Sequence, residues 1–469
     1  MTKEIIHAQK VKAKKNQQST LSNRTKKLEQ LKEWIRTNQK EIDKALYADL
    51  HKPAAEVVVV ETSFVIMEIN LAIKNLKKWT APQKVKSPFH MLGTQAYIQA
   101  EPKGAALIIS PWNYPFNLSV APLVSAIAAG CSVTLKPSEH SPHTSALLRR
   151  MVTELFVPED VAIYEGGISI TQELLEQPFD HVFFTGSTQV GKIVMKAASK
   201  HLASVTLELG GKSPVIIDQA FDLKDAAKKI ALARFINSGQ SCIAPDYLFV
   251  HESQKEEFIA ELNHQVNHMY NSNAKGFAKH KDYGRIINSQ HTVRLQSLLD
   301  DAKEKGGHVE FGGECSLDNC FMEPTVVSHV SEDMLLMKEE IFGPILPIIT
   351  YHQLDDVLHL IQLKPKPLAV YLFSTDDNVT ELTRKHTSSG ALVVNDCAIQ
   401  FMHNELPFGG IGASGMGRSH GHAGFLGFSN EKSILIQRTG KTLPKLLYPP
   451  YGLKTAGIIK ALMKWVMRS

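Results

Sequence analysis

The chain has 469 residues, 43% hydrophobic and 21% charged, with a formal net charge of +5. That length exceeds what one core supports and points to more than one domain, and the ordinary composition excludes a disordered or fibrous chain. The small charge, dispersed along amphipathic stretches, gives no case for nucleic acid, and five thinly spread cysteines exclude a disulfide framework and point to a reducing, cytoplasmic setting.

The N-terminus (Met1-Thr-Lys-Glu-Ile-Ile-His) lacks the apolar stretch of a signal peptide. No apolar run reaches the roughly 18 residues of a membrane-spanning helix. Over residues 20–80 apolar positions recur at helical spacing, as Leu28, Leu31, Trp34 and Ile35 do. A short extended segment follows at 94–101. Brief apolar runs at 105–109, 132–135, 161–164, 181–185 and 205–208 then alternate with amphipathic helical stretches. Strands of that length between helices predict a parallel, doubly wound α/β sheet. Such sheets bind ligands at the carboxyl ends of their strands. A second alternating block spans 214–394, with strands near 247–250, 345–350 and 369–373. Residues 395–429 are glycine-rich and read as loop with little helix.

Within this frame Cys242 stands out. It lies in Phe235-Ile-Asn-Ser-Gly-Gln-Ser-Cys-Ile-Ala-Pro245, where small residues leave the backbone open to a substrate. Upstream, Leu207-Glu-Leu-Gly-Gly-Lys-Ser-Pro214 supplies the carboxyl of Glu208. A thiol nucleophile and a separate base suit two-stage acyl chemistry, in which the thiolate attacks a carbonyl and the base later activates water. Taken alone, Cys242 also reads as a packing thiol, Glu208 as a surface or capping carboxylate, and Asn113 as a turn residue before Pro115.

The segment Phe183-Phe-Thr-Gly-Ser-Thr-Gln-Val-Gly-Lys192 runs from a strand through a glycine turn into a helix. It nearly matches a P-loop, but Ile193 stands where Ser or Thr would hold magnesium, and Thr188 breaks the three-glycine dinucleotide fingerprint. What remains is a helix N-terminus whose free amides suit a phosphate. Lys136 and Glu139 follow another strand, point into the same crevice, and are placed to grip ribose hydroxyls. Cys315 and Cys320 lack the further ligands of a zinc site, so no metal is expected.

Together these segments resemble the aldehyde dehydrogenase superfamily, over nearly the whole chain. The resemblance rests on Pro111-Trp-Asn-Tyr-Pro115, Leu135-Lys-Pro-Ser-Glu139, Phe184-Thr-Gly-Ser-Thr188 with Gly191, the Glu208 and Cys242 segments, Glu339-Glu-Ile-Phe-Gly-Pro344, and Leu406-Pro-Phe-Gly-Gly410 with Gly415-Met-Gly-Arg418. The early Asn113 and a C-terminal stretch with Leu447-Tyr-Pro-Pro-Tyr451 look like the class 3 branch of fatty and coniferyl aldehyde dehydrogenases.

That resemblance implies two doubly wound α/β domains and a smaller bridging part. An NAD(P)-binding domain would take residues 1–81 and 103–207, and a catalytic domain 208–394. A bridging or oligomerisation segment would take 82–102 and 395–440, leaving an amphipathic tail over 441–469. It implies that Cys242 carries a thiohemiacetal and then a thioester, that Asn113 and the Cys242 amide hold the oxyanion, and that Glu208 activates the water. The same resemblance places cofactor contacts on Trp112, Lys136, Glu139, Gly186, Ser187, Val190, Glu340 and Phe342. A carboxylate at Glu139 favours NAD over the 2′-phosphate of NADP, although class 3 members often use both. A homodimer is also implied.

In the tail, Lys460, Lys464 and Arg468 share one helical face, opposite Ile458, Ile459, Leu462, Met463, Val466 and Met467, with Trp465 in the apolar part. Such a helix lies on an anionic membrane surface or packs on a dimer partner. Either placement suits an apolar substrate, first a medium- or long-chain aliphatic or polyene aldehyde and second an aromatic one. A non-catalytic NAD-binding scaffold and a coenzyme A-acylating relative are the competing readings; intact Asn113, Glu208 and Cys242 disfavour the first, and Glu208 the second.

Overall fold

A computed structural model describes residues 2–17, 20–88, 91–440, 442, 445 and 448–467. Leu447 and Arg468 lie outside these described residues, as do the side chains of Trp465 and Val466.

Two large sheets organise the chain. The first has six strands in the order Gly415–Met416, Ser204–Leu209, His181–Gly186, Ala105–Ile109, Ser132–Lys136 and Val161–Ile163. All its neighbours pair in parallel except the short Gly415–Met416. Ala105–Ile109 and Ser132–Lys136 are buried throughout, as strands covered on both faces must be. The second sheet has seven strands in the order His308–Phe311, Thr325–Ser328, Ile345–Tyr351, Pro245–His251, Ser213–Ile217, Ala369–Phe373 and Ala391–Val394. Every long strand expected from the sequence is present, within a residue or two at each end.

Helices cover the first sheet. Asn117–Ala129 is apolar nearly all round because it is sandwiched against the helices Leu21–Thr37 and Ser63–Thr80, where Leu28, Leu31, Trp34, Ile35, Phe64 and Ile69 join its core. The expected helical stretch is in fact broken. Gln39–Leu50 ends on His51 in the left-handed region, and a π-helical turn, Val58–Thr62, interrupts the next helix.

Two elements escape the sequence pattern. Thr2–Asn16 is a helix with little amphipathicity, held instead by the buried Gln9, whose amide donates to the Val133 and Pro158 carbonyls and accepts from Thr134. Ser429–Gln437 is a nine-residue strand that pairs antiparallel along Thr94–Pro102, in a three-stranded sheet completed by Gln83–Val85. The tail forms the helix Leu453–Val466, with Leu453 96% and Met463 54% exposed. No helix among the described residues is long and apolar enough to cross a membrane.

Candidate active site

The residues singled out in the sequence converge at the carboxyl ends of the first sheet's strands, facing the second sheet. Asn113 sits in the turn after Ala105–Ile109, and Glu208 near the end of Ser204–Leu209. Cys242 follows the helix Leu223–Phe235 through a tight turn in which Asn237 and Ser238 both take φ +51. Cys242 and Glu208 line one cavity of about 440 Å³, walled by Val60, Leu118, Met269, Phe401 and Phe408. That volume lies within the range of small-molecule sites. The Asn113 amide donates to the Gln240 carbonyl at 3.1 Å, which ties it to the cysteine turn.

Glu208 is buried, and its two oxygens differ. Oε1 accepts the Ser419 hydroxyl at 2.9 Å, while Oε2 is buried without a partner. Burial pushes the carboxyl up to about 8, against the opposing pull of Ser419 and Arg418. Ser419 reaches this position because Gly415–Met416 pairs with the Glu208 strand, placing Gly415 opposite Glu208. Burial likewise raises the Cys242 thiol, helped by the carboxyls of Glu340 and Glu208 and opposed by the amides of Cys242 and Ile243. Glu340 is also pushed up to about 8, mainly by burial. The upward shift of both carboxyls favours their neutral forms, and in those forms they no longer oppose a thiolate at Cys242.

Beside the cavity lies a second constellation. The Lys136 ammonium, itself buried, pairs with Glu139 at 3.0 Å and donates to the Pro137 carbonyl. Ser187 caps the helix Thr188–Ser199, its hydroxyl accepting the Val190 amide at 3.3 Å. Gly191 lets that helix press on the sheet, since a Cβ there would lie 2.6 Å from Leu209. Gly186 stands at the strand end just before the cap. Val190 is exposed on the first turn.

The loop carrying Glu340 and Phe342 is held by its carbonyls. Lys212 donates to those of Leu336 and Glu339, Arg294 to those of Glu340 and Ile341, and the buried Arg234 to that of Gly343. Asp246 accepts the Ile341 amide at 3.0 Å and pairs with Lys212. A Cβ on Gly210 would lie 1.9 Å from the Glu340 carboxyl, so the glycine leaves that side chain room in its present place. Phe342, at φ +48, meets Trp112 edge-on at 5.3 Å, and Trp112 packs on His291 at 4.9 Å. Glu340 Oε1 and His291 Nδ1 are buried without partners. Orphan polar atoms beside an aromatic pair, a capped helix N-terminus and a Lys–Glu pair fit a dinucleotide that brings hydroxyls, a pyrophosphate and a flat ring.

All the site residues named from sequence thus fall in two adjoining constellations. Sequence reasoning missed Ser419, His291, Arg234, Arg294 and Asp246. Ser419 directly follows a recognised glycine motif, which is the only signal that pointed to it.

An apolar cavity ending on a thiol and a carboxyl, beside a dinucleotide-type crevice, is the design of an α/β oxidoreductase. The chain belongs to the aldehyde dehydrogenase family, whose family model matches residues 1–434. It is 44% identical over 435 residues to 4,4′-diaponeurosporen-aldehyde dehydrogenase of Staphylococcus aureus, covering 93% of each chain. It is 41% identical to the dimeric NADP-preferring aldehyde dehydrogenase of Mus musculus, covering 91% of this chain and 93% of that one. A solved structure, the substrate-bound state of Staphylococcus aureus AldH, superposes with a TM-score of 0.94 at 41% identity, covering 99% of both chains. The protein is thus a class 3-like aldehyde dehydrogenase that uses a nicotinamide coenzyme.

Proposed function

We propose that this enzyme oxidises an apolar aldehyde, medium- or long-chain aliphatic or polyene, to its carboxylic acid through a thioester on Cys242. The observation that carries this reading is the cavity of about 440 Å³, apolar along its walls and ending on Cys242 and Glu208. The similarity to an enzyme named for a polyene aldehyde supports it. Aromatic aldehydes are the second reading.

Cys242 attacks the carbonyl carbon, and its own amide and the Asn113 side chain hold the oxyanion; losing one such donor costs about 3–4 kcal/mol of transition-state stabilisation. The Asn113 amide has two hydrogens, and the Gln240 carbonyl engages one, which orients the other. Trp112, Lys136, Glu139, Gly186, Ser187, Val190, Glu340 and Phe342 would hold the coenzyme, which when bound supplies the hydride acceptor. Glu208 then takes a proton from water through its free Oε2, and the hydroxide releases the acid from the thioester. The Glu139 carboxylate beside the ribose position favours NAD over NADP.

The remaining partners are water and a second copy of the chain. Two open features support the dimer: the edge strand Ser429–Gln437, with Leu435 and Ile436 exposed, and the tail helix. Five free cysteines support a reducing compartment.

The test is coenzyme reduction across short aliphatic, long aliphatic, polyene and aromatic aldehydes, with NAD and NADP in parallel, beside Cys242→Ala. We expect kcat/KM to rise with chain length, to be higher with NAD, and to vanish in the variant. Preference for aromatic aldehydes would move the substrate to the second reading, and activity retained by Cys242→Ala would remove the thioester.

A further inference from the structure

Lys52 is among the most deeply buried large side chains of the molecule, although it carries a charge and touches neither the cavity nor the coenzyme crevice. Its ammonium donates to Glu61 Oε1 at 2.6 Å and to the Asn113 carbonyl at 3.0 Å, and sits 4.1 Å from the centre of the Tyr114 ring. The other oxygen of Glu61 accepts the Asn117 amide at 2.8 Å, at the first residue of the helix Asn117–Ala129. Glu61 turns inward within the π-helical turn Val58–Thr62, a distortion that proteins keep mainly where function needs it. The Asn117 side chain returns a bond to the Val60 carbonyl in that same turn at 2.7 Å.

The segment from Asn113 to Asn117 is therefore gripped at both ends by one buried ion pair, Lys52 at the first residue and Glu61 at the last. The grip continues to the nucleophile. Asn237 donates to the same Asn113 carbonyl at 2.8 Å and to the Gln240 carbonyl at 3.2 Å, and Gln240 also accepts the Asn113 side chain. Replacing a buried ion pair by neutral groups of similar volume is commonly neutral for stability. Packing alone therefore does not require a lysine here.

We propose that Lys52 and Glu61 are positioning residues that fix the backbone of Asn113, and so aim its amide at the oxyanion formed on Cys242. The inference rests on the oxyanion role assigned to Asn113 above. Misplacing such a donor by about 1 Å costs on the order of 10²-fold in rate.

The test is a double-mutant cycle on the full-length enzyme. Lys52→Met with Glu61→Gln removes both charges together, so neither is left buried and unpaired, and a glutamine oxygen remains for the Asn117 amide. We expect this variant to fold, to keep its coenzyme Kd and its aldehyde KM, and to lose about 10²-fold in kcat. Lys52→Arg, which restores a cation and donors, should recover part of that loss. In an Asn113→Ala background the same pair of substitutions should cost little more, because the amide it aims is gone. Losses that multiply instead would place the pair's effect elsewhere and overturn the proposal, as would an unchanged kcat in the Lys52/Glu61 variant alone. An unchanged kcat in Asn113→Ala would overturn the oxyanion reading itself, and this inference with it. If Lys52→Met with Glu61→Gln does not fold, Glu61→Gln alone decides: it removes the charge that pairs with Lys52 but keeps an oxygen for the Asn117 amide, and a kcat equal to that of the parent would overturn the proposal.

Discussion

At the residue scale, burial pushes the Glu208 and Glu340 carboxyls and the Cys242 thiol toward their neutral forms. In the proposed role of base Glu208 must lose its proton, and burial pushes its carboxyl up to about 8. Release of the acid should therefore speed up as pH rises, with a midpoint near that value, and level off above it. The Ser419 hydroxyl favours the charged form, because a bond to a carboxylate is worth about 1.5–3 kcal/mol. Removing it in Ser419→Ala should move the midpoint up by about one pH unit or more. Single-turnover deacylation followed against pH measures this directly, and an unmoved midpoint would show that Ser419 does not hold Glu208 in the working enzyme. Glu208 and Cys242 were visible in the sequence because each sits in a distinctive motif. Ser419 was not, because it meets Glu208 only through a strand pairing between segments far apart in the chain.

At the element scale, local pattern and long-range pairing divide the fold between them. The parallel strands were legible because burial on both faces makes each a short apolar run, as Ala105–Ile109 is. Ser429–Gln437 was not, because its residues are mostly exposed and its register comes from Thr94–Pro102. That strand leaves an unpaired edge, and the tail helix that follows it in the chain is also open, with Leu453 and Met463 unburied. In the proposed dimer one second copy of the chain covers both surfaces. Deleting residues 453–469 should therefore weaken assembly in sedimentation and leave flotation with anionic vesicles unchanged. Flotation of the full-length chain that is lost on deletion would instead assign the helix to a lipid surface, where its lysines would each contribute about 1 kcal/mol.

For the whole molecule, the buried carboxyls carry a stability cost with a definite sign. Burial pushes Glu56 and Glu68 up to about 7, and Glu208 and Glu340 up to about 8, from an ordinary 4.5. Between those limits the folded chain holds protons that the unfolded chain has released, so stability falls as pH rises through this window. For Glu68 alone the effect is about 3 kcal/mol. Glu68→Gln, which keeps an acceptor for the Gly421 amide, should flatten the decline in Tm between about pH 4.5 and 7. A slope equal to that of the parent would mean that Glu68 is ionised in the folded enzyme.

The sequence by itself determined the kind of fold and most of its parallel strands, and it pointed to the candidate reacting groups, because periodicity and short motifs are properties of neighbouring residues. Only the tertiary structure decided how those groups are held. Lys52 reaches the Asn113 carbonyl, Ser419 reaches Glu208, and Arg234 and Arg294 clamp the Glu340 loop, each across a long stretch of chain. A lone lysine, serine or arginine reads as solvated surface in sequence. What makes it otherwise is burial, which forces each polar group to find a partner wherever the fold has placed one.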